Sequence, residues 1–176
     1  MEIIIYGSKY GTAKQYAEEL SKRTNIEAKT YQDIKDINKY KVIIYIGALY
    51  AGGVLGMSKT FKNLSEIKNK KIVIATVGLS DPTDIENINN IKNSMKKQLS
   101  NEIYNSAYIY HLRGGIDYSK LNFTHKTMMK LLYKKAKKLP EEKKTAEVNA
   151  MIDTYNKKVN FVDFSNLDNI INKIQN

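Results

Sequence analysis

Residues 3–20, IIIYGSKYGTAKQYAEEL, join a short apolar run, a glycine-containing loop and an amphipathic segment. The run Ile3–Tyr6 is mostly β-branched and too short for anything but a strand. Beyond the loop, Tyr16, Ala17 and Leu20 recur at helical spacing. We therefore predict a strand, a loop and a helix in direct succession.

The loop GSKYGTA, residues 7–13, lies where this strand gives way to the helix. Backbone N–H groups in the first turn of a helix are free, and the helix dipole adds positive charge, so such a loop binds anions, most often phosphate. The loop lacks both the Gly-Lys-Ser/Thr ending of a Walker loop and the dinucleotide pattern G-x-G-x-x-G. An ordinary strand-to-helix turn is the alternative interpretation. The residues predicted to hold phosphate are Ser8, Lys9, Tyr10, Gly11, Thr12 and Ala13.

The composition limits the class of protein. The 176 residues suit a single domain spanning 1–176, and no apolar segment has the length of a signal peptide or a membrane span. We expect a soluble, cytoplasmic protein. The chain has no cysteine and two histidines, so we predict no metal site.

The net charge of +11 comes almost entirely from lysine, since Arg23 and Arg113 are the only arginines. Base-reading proteins rely on the bidentate contacts of arginine, so we expect no nucleic-acid partner. The positive total favours anionic partners such as lipid headgroups, acidic proteins or acidic substrates.

Apolar runs alternate with helical patterns along the chain, which predicts an α/β fold with a parallel sheet. We predict a flavodoxin-like three-layer sandwich with five parallel strands in the order 2-1-3-4-5. The fifth strand is predicted to be split by a helical insertion, residues 112–158. The predicted strands after the first are 27–31, 41–47, 71–77, 103–110 and a remnant at 159–163. Helical spacing is found in 57–67, in the segment ending near Leu99, in 119–139, in the segment ending near Tyr155 and after Ser165.

In a doubly wound sheet, the loops after strands one, three and four open onto one crevice. The loops after strands three and four contain glycines, which let the backbone approach a bound ring closely. They also contain apolar residues that could cover a flat ring. Loops that merely edge the sheet are the alternative. A receiver-type phosphorylation domain is excluded, because strand three ends Ile46-Gly47-Ala48 and offers no acceptor aspartate. The ring-flanking residues are predicted to be Ala48, Leu49, Tyr50, Ala51, Gly52, Gly53, Gly78, Leu79, Ser80 and Asp81.

Two further features suggest function. His111 and Arg113 follow the fifth strand and are candidates for binding an acidic substrate or donating a proton, a polar loop cluster being the alternative. The insertion carries a lysine stripe on an amphipathic helix, which suits peripheral contact with an anionic membrane, for example the inner face of the cell membrane. Packing of its apolar side on the sheet, with solvated lysines, is the alternative. The stripe consists of Lys126, Lys130, Lys134 and Lys138.

The pattern Ser8-x-Tyr10-Gly11-Thr12-Ala13 resembles the FMN-phosphate loop of flavodoxins, Thr/Ser-x-Thr-Gly-x-Thr, from which it departs at Tyr10 and Ala13. The chain also resembles the subgroup of menaquinone-dependent protoporphyrinogen IX dehydrogenases, on the loop Ser8–Thr12, Gly47-Ala48, Arg113-Gly114-Gly115 and the helix 123–132. The resemblance implies non-covalent FMN and an oxidoreductase that exchanges electrons with a redox partner protein or a small-molecule substrate. In that subgroup the electrons pass from a porphyrinogen to a quinone. A non-catalytic electron carrier or partner-binding module is the alternative.

Overall fold

A central parallel sheet organises the computed structural model, which describes residues 1–176. Its strands lie in the order β2-β1-β3-β5-β6, and the short β4 pairs antiparallel with the end of β3. Counting only the parallel strands, this is the predicted order 2-1-3-4-5. The sheet strands are β1 (Glu2–Gly7), β2 (Ala28–Thr30), β3 (Val42–Tyr50), β4 (Gly53–Val54), β5 (Lys71–Gly78) and β6 (Tyr108–Arg113).

Helices cover both faces of the sheet, as in a three-layer sandwich. Alternate residues of β1 point to opposite faces, so Ile3 and Ile5 enter one core and Ile4 the other. The first core also contains residues of α2, α3 and α4, and the second contains residues of α1 and α7. None of the helices is both long enough and apolar enough to cross a membrane. The helices are α1 (Thr12–Thr24), α2 (Met57–Phe61), α3 (Ile85–Gln98), α4 (Asn101–Ser106), α5 (Phe123–Lys137), α6 (Ala146–Thr154) and α7 (Leu167–Gln175).

The strand predicted at 103–110 is a helix followed by a strand. The Ser100 side chain accepts a hydrogen bond from the Ile103 N–H and so caps α4, whose buried Ile103 packs in the first core. The strand β6 begins only at Tyr108. The prediction was wrong here because alternating aromatic residues resemble a strand pattern, whereas the cap and the core contact favour a helical turn.

The fifth strand is not split in the predicted way. After Gly114, the chain forms β7 (Gly115–Asp117), and it returns from the insertion as β8 (Lys158–Asn160). These two strands pair antiparallel with each other in a separate two-stranded ribbon, and β8 does not join the central sheet. The chain runs in opposite directions where it enters and where it leaves the insertion, so the two ends of the insertion pair antiparallel. Between them lie α5 and α6.

Candidate functional site

The turn from β1 into α1 leaves the first helical N–H groups without a side-chain cap. Gly11 has φ of 95°, in the left-handed region, and precedes the first residue of α1. Its N–H donates to the Ser8 Oγ at 3.2 Å, while the first α-helical bond runs from the Gln15 N–H to the Gly11 carbonyl. The N–H groups of the first helical turn are therefore available to an anion, next to the positive end of the helix dipole.

Tyr10 projects from this loop towards the insertion. Its ring lies edge-on to Tyr50 and to the half-buried His125, with centroid distances of 6.5 Å and 6.1 Å. The Tyr10 hydroxyl is buried and has no hydrogen-bond partner. Burial, together with the neighbouring Tyr50, raises the pKa of the Tyr10 hydroxyl, which stays protonated and available as a donor. A buried, unpaired donor beside the loop 8–13, the candidate anion-binding loop, is suited to a polar ligand.

A cavity of about 410 Å³ opens between the carboxyl ends of the strands and the insertion. Its lining is mainly apolar, as is typical of cofactor and small-molecule sites. It extends from the loop 8–13 to the loops after β3 and β5, as the doubly wound topology predicts. The predicted site residues that line it are Tyr10, Thr12, Ala48, Leu49, Tyr50, Ala51, Gly78 and Leu79.

The other predicted site residues lie outside this lining. Gly52 and Gly53 turn towards α3, where the Ser94 hydroxyl donates to the Gly52 carbonyl at 2.5 Å and Gln98 packs against Gly53. Hydrogen bonds from Thr83 lower the pKa of Asp81, whose carboxylate caps the turn after β5. The residues outside the lining are Ser8, Lys9, Gly11, Ala13, Gly52, Gly53, Ser80 and Asp81.

The comparison with family models matches residues 3–144 to the flavodoxin domain. The chain belongs to the flavodoxin domain family. Two crystal structures, each described as a "putative flavoprotein", are similar to it. The one from Bacteroides eggerthii has 16% identity and a TM-score of 0.42, covering 62% of this chain and 85% of that chain. The one from Bacteroides uniformis has 12% identity and a TM-score of 0.45, covering 73% of this chain and 97% of that chain. The comparison with curated proteins gives no match.

The insertion supplies the second wall of the cavity in this flavodoxin domain, and sequence reasoning did not place it there. The apolar residues of 119–139 were expected to pack on the sheet or face a membrane. Instead, one side of α5 faces the crevice, since the buried Met129 and Ala136 line the cavity together with Met128 and Leu132. Helical spacing was the only available signal. The added lining residues are Val77, Gly114, Gly115, Ile116, Met128, Met129, Leu132, Lys135, Ala136, Leu139, Glu147, Val148 and Met151.

Few charged groups reach the cavity. Lys135 and Glu147 are the only ionisable residues of its lining besides the tyrosines, and burial raises the pKa of the Glu147 carboxyl. Close by, the Lys9 ammonium lies 5.1 Å from the centroid of the Tyr50 ring. A bound molecule would therefore be surrounded mainly by apolar groups, with the polar contacts concentrated at the loop that precedes α1.

His111 and Arg113 do not line the cavity. The His111 Nδ1 lies 2.8 Å from the Thr76 Oγ1, and burial, with Lys92 nearby, lowers the pKa of the ring to about 4. The lowered pKa favours the uncharged ring near neutral pH, which argues against the predicted role of His111 as a proton donor. The Arg113 guanidinium stacks on Phe161, 3.8 Å from the ring centroid, while its Nε donates to the Leu79 carbonyl at 3.0 Å. Arg113 thus contacts the loop after β5 at Leu79, a residue of the cavity lining.

Proposed function

We propose that this flavodoxin domain binds FMN non-covalently and acts as an oxidoreductase. The single observation that carries the proposal is the uncapped N-terminus of α1, which lies at one end of an apolar cavity of about 410 Å³. The helix N-terminus would bind the phosphate of FMN, and the apolar cavity would hold its flat ring. The two features thus match the two chemical halves of FMN. Bound FMN would supply electron transfer, for which the protein provides orientation and electrostatics.

The residues present fit this cofactor. The phosphate would lie on the loop 8–13, with the N–H groups of the first turn and the hydroxyls of Ser8, Tyr10 and Thr12 as donors. The ring would lie between the segments Ala48–Ala51 and Gly78–Leu79, which line the cavity. The insertion would cover the ring and exclude water, since Met128, Leu132 and Met151 form an apolar wall opposite these two segments.

The test is a visible spectrum of the purified protein, followed by titration of the apo form with FMN and with riboflavin. We expect saturable 1:1 binding of FMN and at least tenfold weaker binding of riboflavin, because riboflavin lacks the phosphate. Equal affinity for the two flavins would show that the loop 8–13 does not hold phosphate. No binding of either would refute the proposal.

For the substrate, we propose oxidation of a porphyrinogen with a quinone as electron acceptor. The supporting observation is the apolar wall of the insertion, because the macrocycle of a porphyrinogen and a quinone are both large and mainly apolar. The resemblance of Gly47-Ala48 and Arg113-Gly114-Gly115 to the protoporphyrinogen dehydrogenase subgroup points the same way. Redox partner proteins and other small substrates remain competing hypotheses.

Anaerobic mixing of the FMN-loaded protein with protoporphyrinogen IX, followed by a soluble menaquinone analogue, separates these hypotheses. Bleaching of the flavin by the porphyrinogen and its return with the quinone, over repeated turnovers, is the expected result. A flavin that accepts electrons from a reductase partner yet turns over neither molecule would identify a non-catalytic electron carrier.

A further inference from the structure

The side of α5 turned away from the protein exposes apolar side chains among lysines. Phe123 is 84% exposed and Leu131 is 58% exposed, whereas most large apolar side chains of the chain are buried. We call this surface the outer face of α5; it consists of Phe123, Lys126, Lys130, Leu131 and Lys134, together with Lys138, which follows the last residue of the helix. Exposure of the Phe123 and Leu131 side chains to water is unfavourable in free energy, so this face is suited to a partner that buries them.

The charge of the outer face is uniform. The sequence of α5, FTHKTMMKLLYKKAK, contains no acidic residue. None of the lysines on the outer face forms an ion pair within the protein; the nearest such pair, between Lys144 and Glu141, lies beyond the end of the helix. The partner of this face is therefore anionic as well as apolar.

We propose that the outer face of α5 binds the surface of an anionic lipid bilayer. A helix with lysines flanking Phe and Leu lies in the plane of the bilayer, with its apolar residues among the acyl chains and its lysines at the headgroups. The Asn122 side chain caps α5 by accepting a hydrogen bond from the His125 N–H, so the helix exists before it meets the membrane. An acidic protein would match the lysines but would need a pocket of its own for Phe123.

The same helix joins this surface to the cavity. Leu131 belongs to the outer face, while the next residue, Leu132, lines the cavity and is itself 42% exposed. Lys135 and Leu139 continue this cavity edge one and two turns further along. Docking of α5 would therefore bring one edge of the cavity close to the bilayer, where apolar molecules are dissolved.

Vesicle flotation of the full-length apo protein tests the proposal. The probes are vesicles of phosphatidylcholine alone and vesicles in which one quarter of the lipid is phosphatidylglycerol. Wild type is expected to float with the anionic vesicles and to remain unbound with the neutral ones. Absence of binding to the anionic vesicles would overturn the proposal.

Two variants and a matched control make the test specific. The variant Lys126→Gln/Lys130→Gln/Lys134→Gln/Lys138→Gln is expected to bind at least tenfold more weakly. The control removes the same number of charges from exposed lysines elsewhere, Lys22→Gln/Lys62→Gln/Lys68→Gln/Lys97→Gln, and is expected to retain most of the binding. Equal losses in the two would show a general effect of net charge and overturn the proposal.

The apolar pair, Phe123 and Leu131, tests whether α5 inserts into the bilayer or is held at its surface by charge alone. Phe123→Ser/Leu131→Ser leaves every charge in place and is expected to reduce vesicle binding at least fivefold. Unchanged vesicle binding by this variant would mean that the vesicles attract the lysines alone and that Phe123 and Leu131 do not enter the bilayer, which would overturn the proposal. Far-UV circular dichroism checks that each variant retains its helices. Titration of the same variants with FMN keeps failure of membrane binding distinct from failure of the proposed cofactor.

Discussion

The Tyr16 hydroxyl donates a hydrogen bond to the Arg113 carbonyl oxygen, 2.8 Å away, where the chain leaves the central sheet for the insertion. The same hydroxyl accepts the N–H of Asp163 at 3.0 Å, where the chain returns. Tyr16 is fully buried in the core between α1 and the sheet. One side chain of the helix that follows the anion-binding loop thus holds both ends of the segment that covers the cavity.

The first prediction concerns this hydroxyl. Tyr16→Phe keeps the ring and its packing but leaves the Arg113 carbonyl and the Asp163 N–H without their partner. We expect the free energy of unfolding in urea to fall by about 2 kcal/mol. Tyr110→Phe is the matched control, because its hydroxyl makes only a long, exposed bond of 3.4 Å to the Asn169 carbonyl. A similar loss of stability in both variants would contradict the role assigned to the Tyr16 hydroxyl.

The second prediction concerns Gly11, whose φ of 95° suits glycine. A Cβ there would meet no atom within 4 Å, so Gly11→Ala acts through backbone strain, about 1 kcal/mol. We expect the altered loop to weaken FMN binding about tenfold, measured by fluorescence titration.

Gly52→Ala is the control for Gly11→Ala. Gly52 also has a positive φ, 79°, with open space at its Cβ, but it follows β3 and is not part of the loop 8–13. Gly52→Ala should lose about as much stability as Gly11→Ala and should keep its affinity for FMN. Equal losses of FMN affinity in the two variants would show that strain anywhere in these loops, and not phosphate contact, governs binding.

The third prediction uses the unpaired hydroxyl of Tyr10. In Tyr10→Phe the buried polar atom disappears, so the apo protein should be as stable as wild type or about 1 kcal/mol more stable. If the hydroxyl serves the ligand, FMN affinity should fall about fivefold. Tyr118→Phe removes another buried, unpaired hydroxyl that is not part of the cavity lining, and it should leave FMN affinity unchanged. Retained affinity in Tyr10→Phe would exclude a role in binding.

The fourth prediction concerns pH. The pKa of His111 is about 4 in the folded protein, below its ordinary value of 6.5, so between these values the unfolded chain takes up a proton that the folded state does not. Stability should therefore fall as the pH falls through this window. At pH about 5 the loss should be about 1–2 kcal/mol, reduced by the partial exposure of the ring.

His111→Gln removes the titrating ring and keeps a polar side chain next to Thr76. We expect its stability to change less than that of wild type between pH about 7.5 and pH about 5, as measured by urea unfolding at each pH. Parallel curves for the two proteins would show that His111 is not the group responsible.

The order of the parallel strands and the succession of strand, loop and helix at the start of the chain followed from the sequence alone. Apolar runs such as 71–77 and the pattern of residues 3–20 are local signals, and each acts over one strand or one turn of helix. The parallel order of the sheet then follows from connection rules that allow few topologies. The error at 103–110 is also local, because a capping serine and a single core contact outweighed an alternating pattern.

Only the tertiary structure decided what surrounds the cavity. The spacing of Met128 and Leu132 showed that they share a side of a helix, but not what that side would face, since this depends on how the insertion is anchored by Tyr16 about a hundred residues earlier. The sequence suggested a proton donor at His111 because it does not show how the ring is surrounded. The ring is buried next to Thr76 and near Lys92, which are distant in sequence. Burial and electrostatics are sums over residues brought together by folding. The sequence therefore determined the elements and the loop, and the packing of the insertion determined the rest of the site.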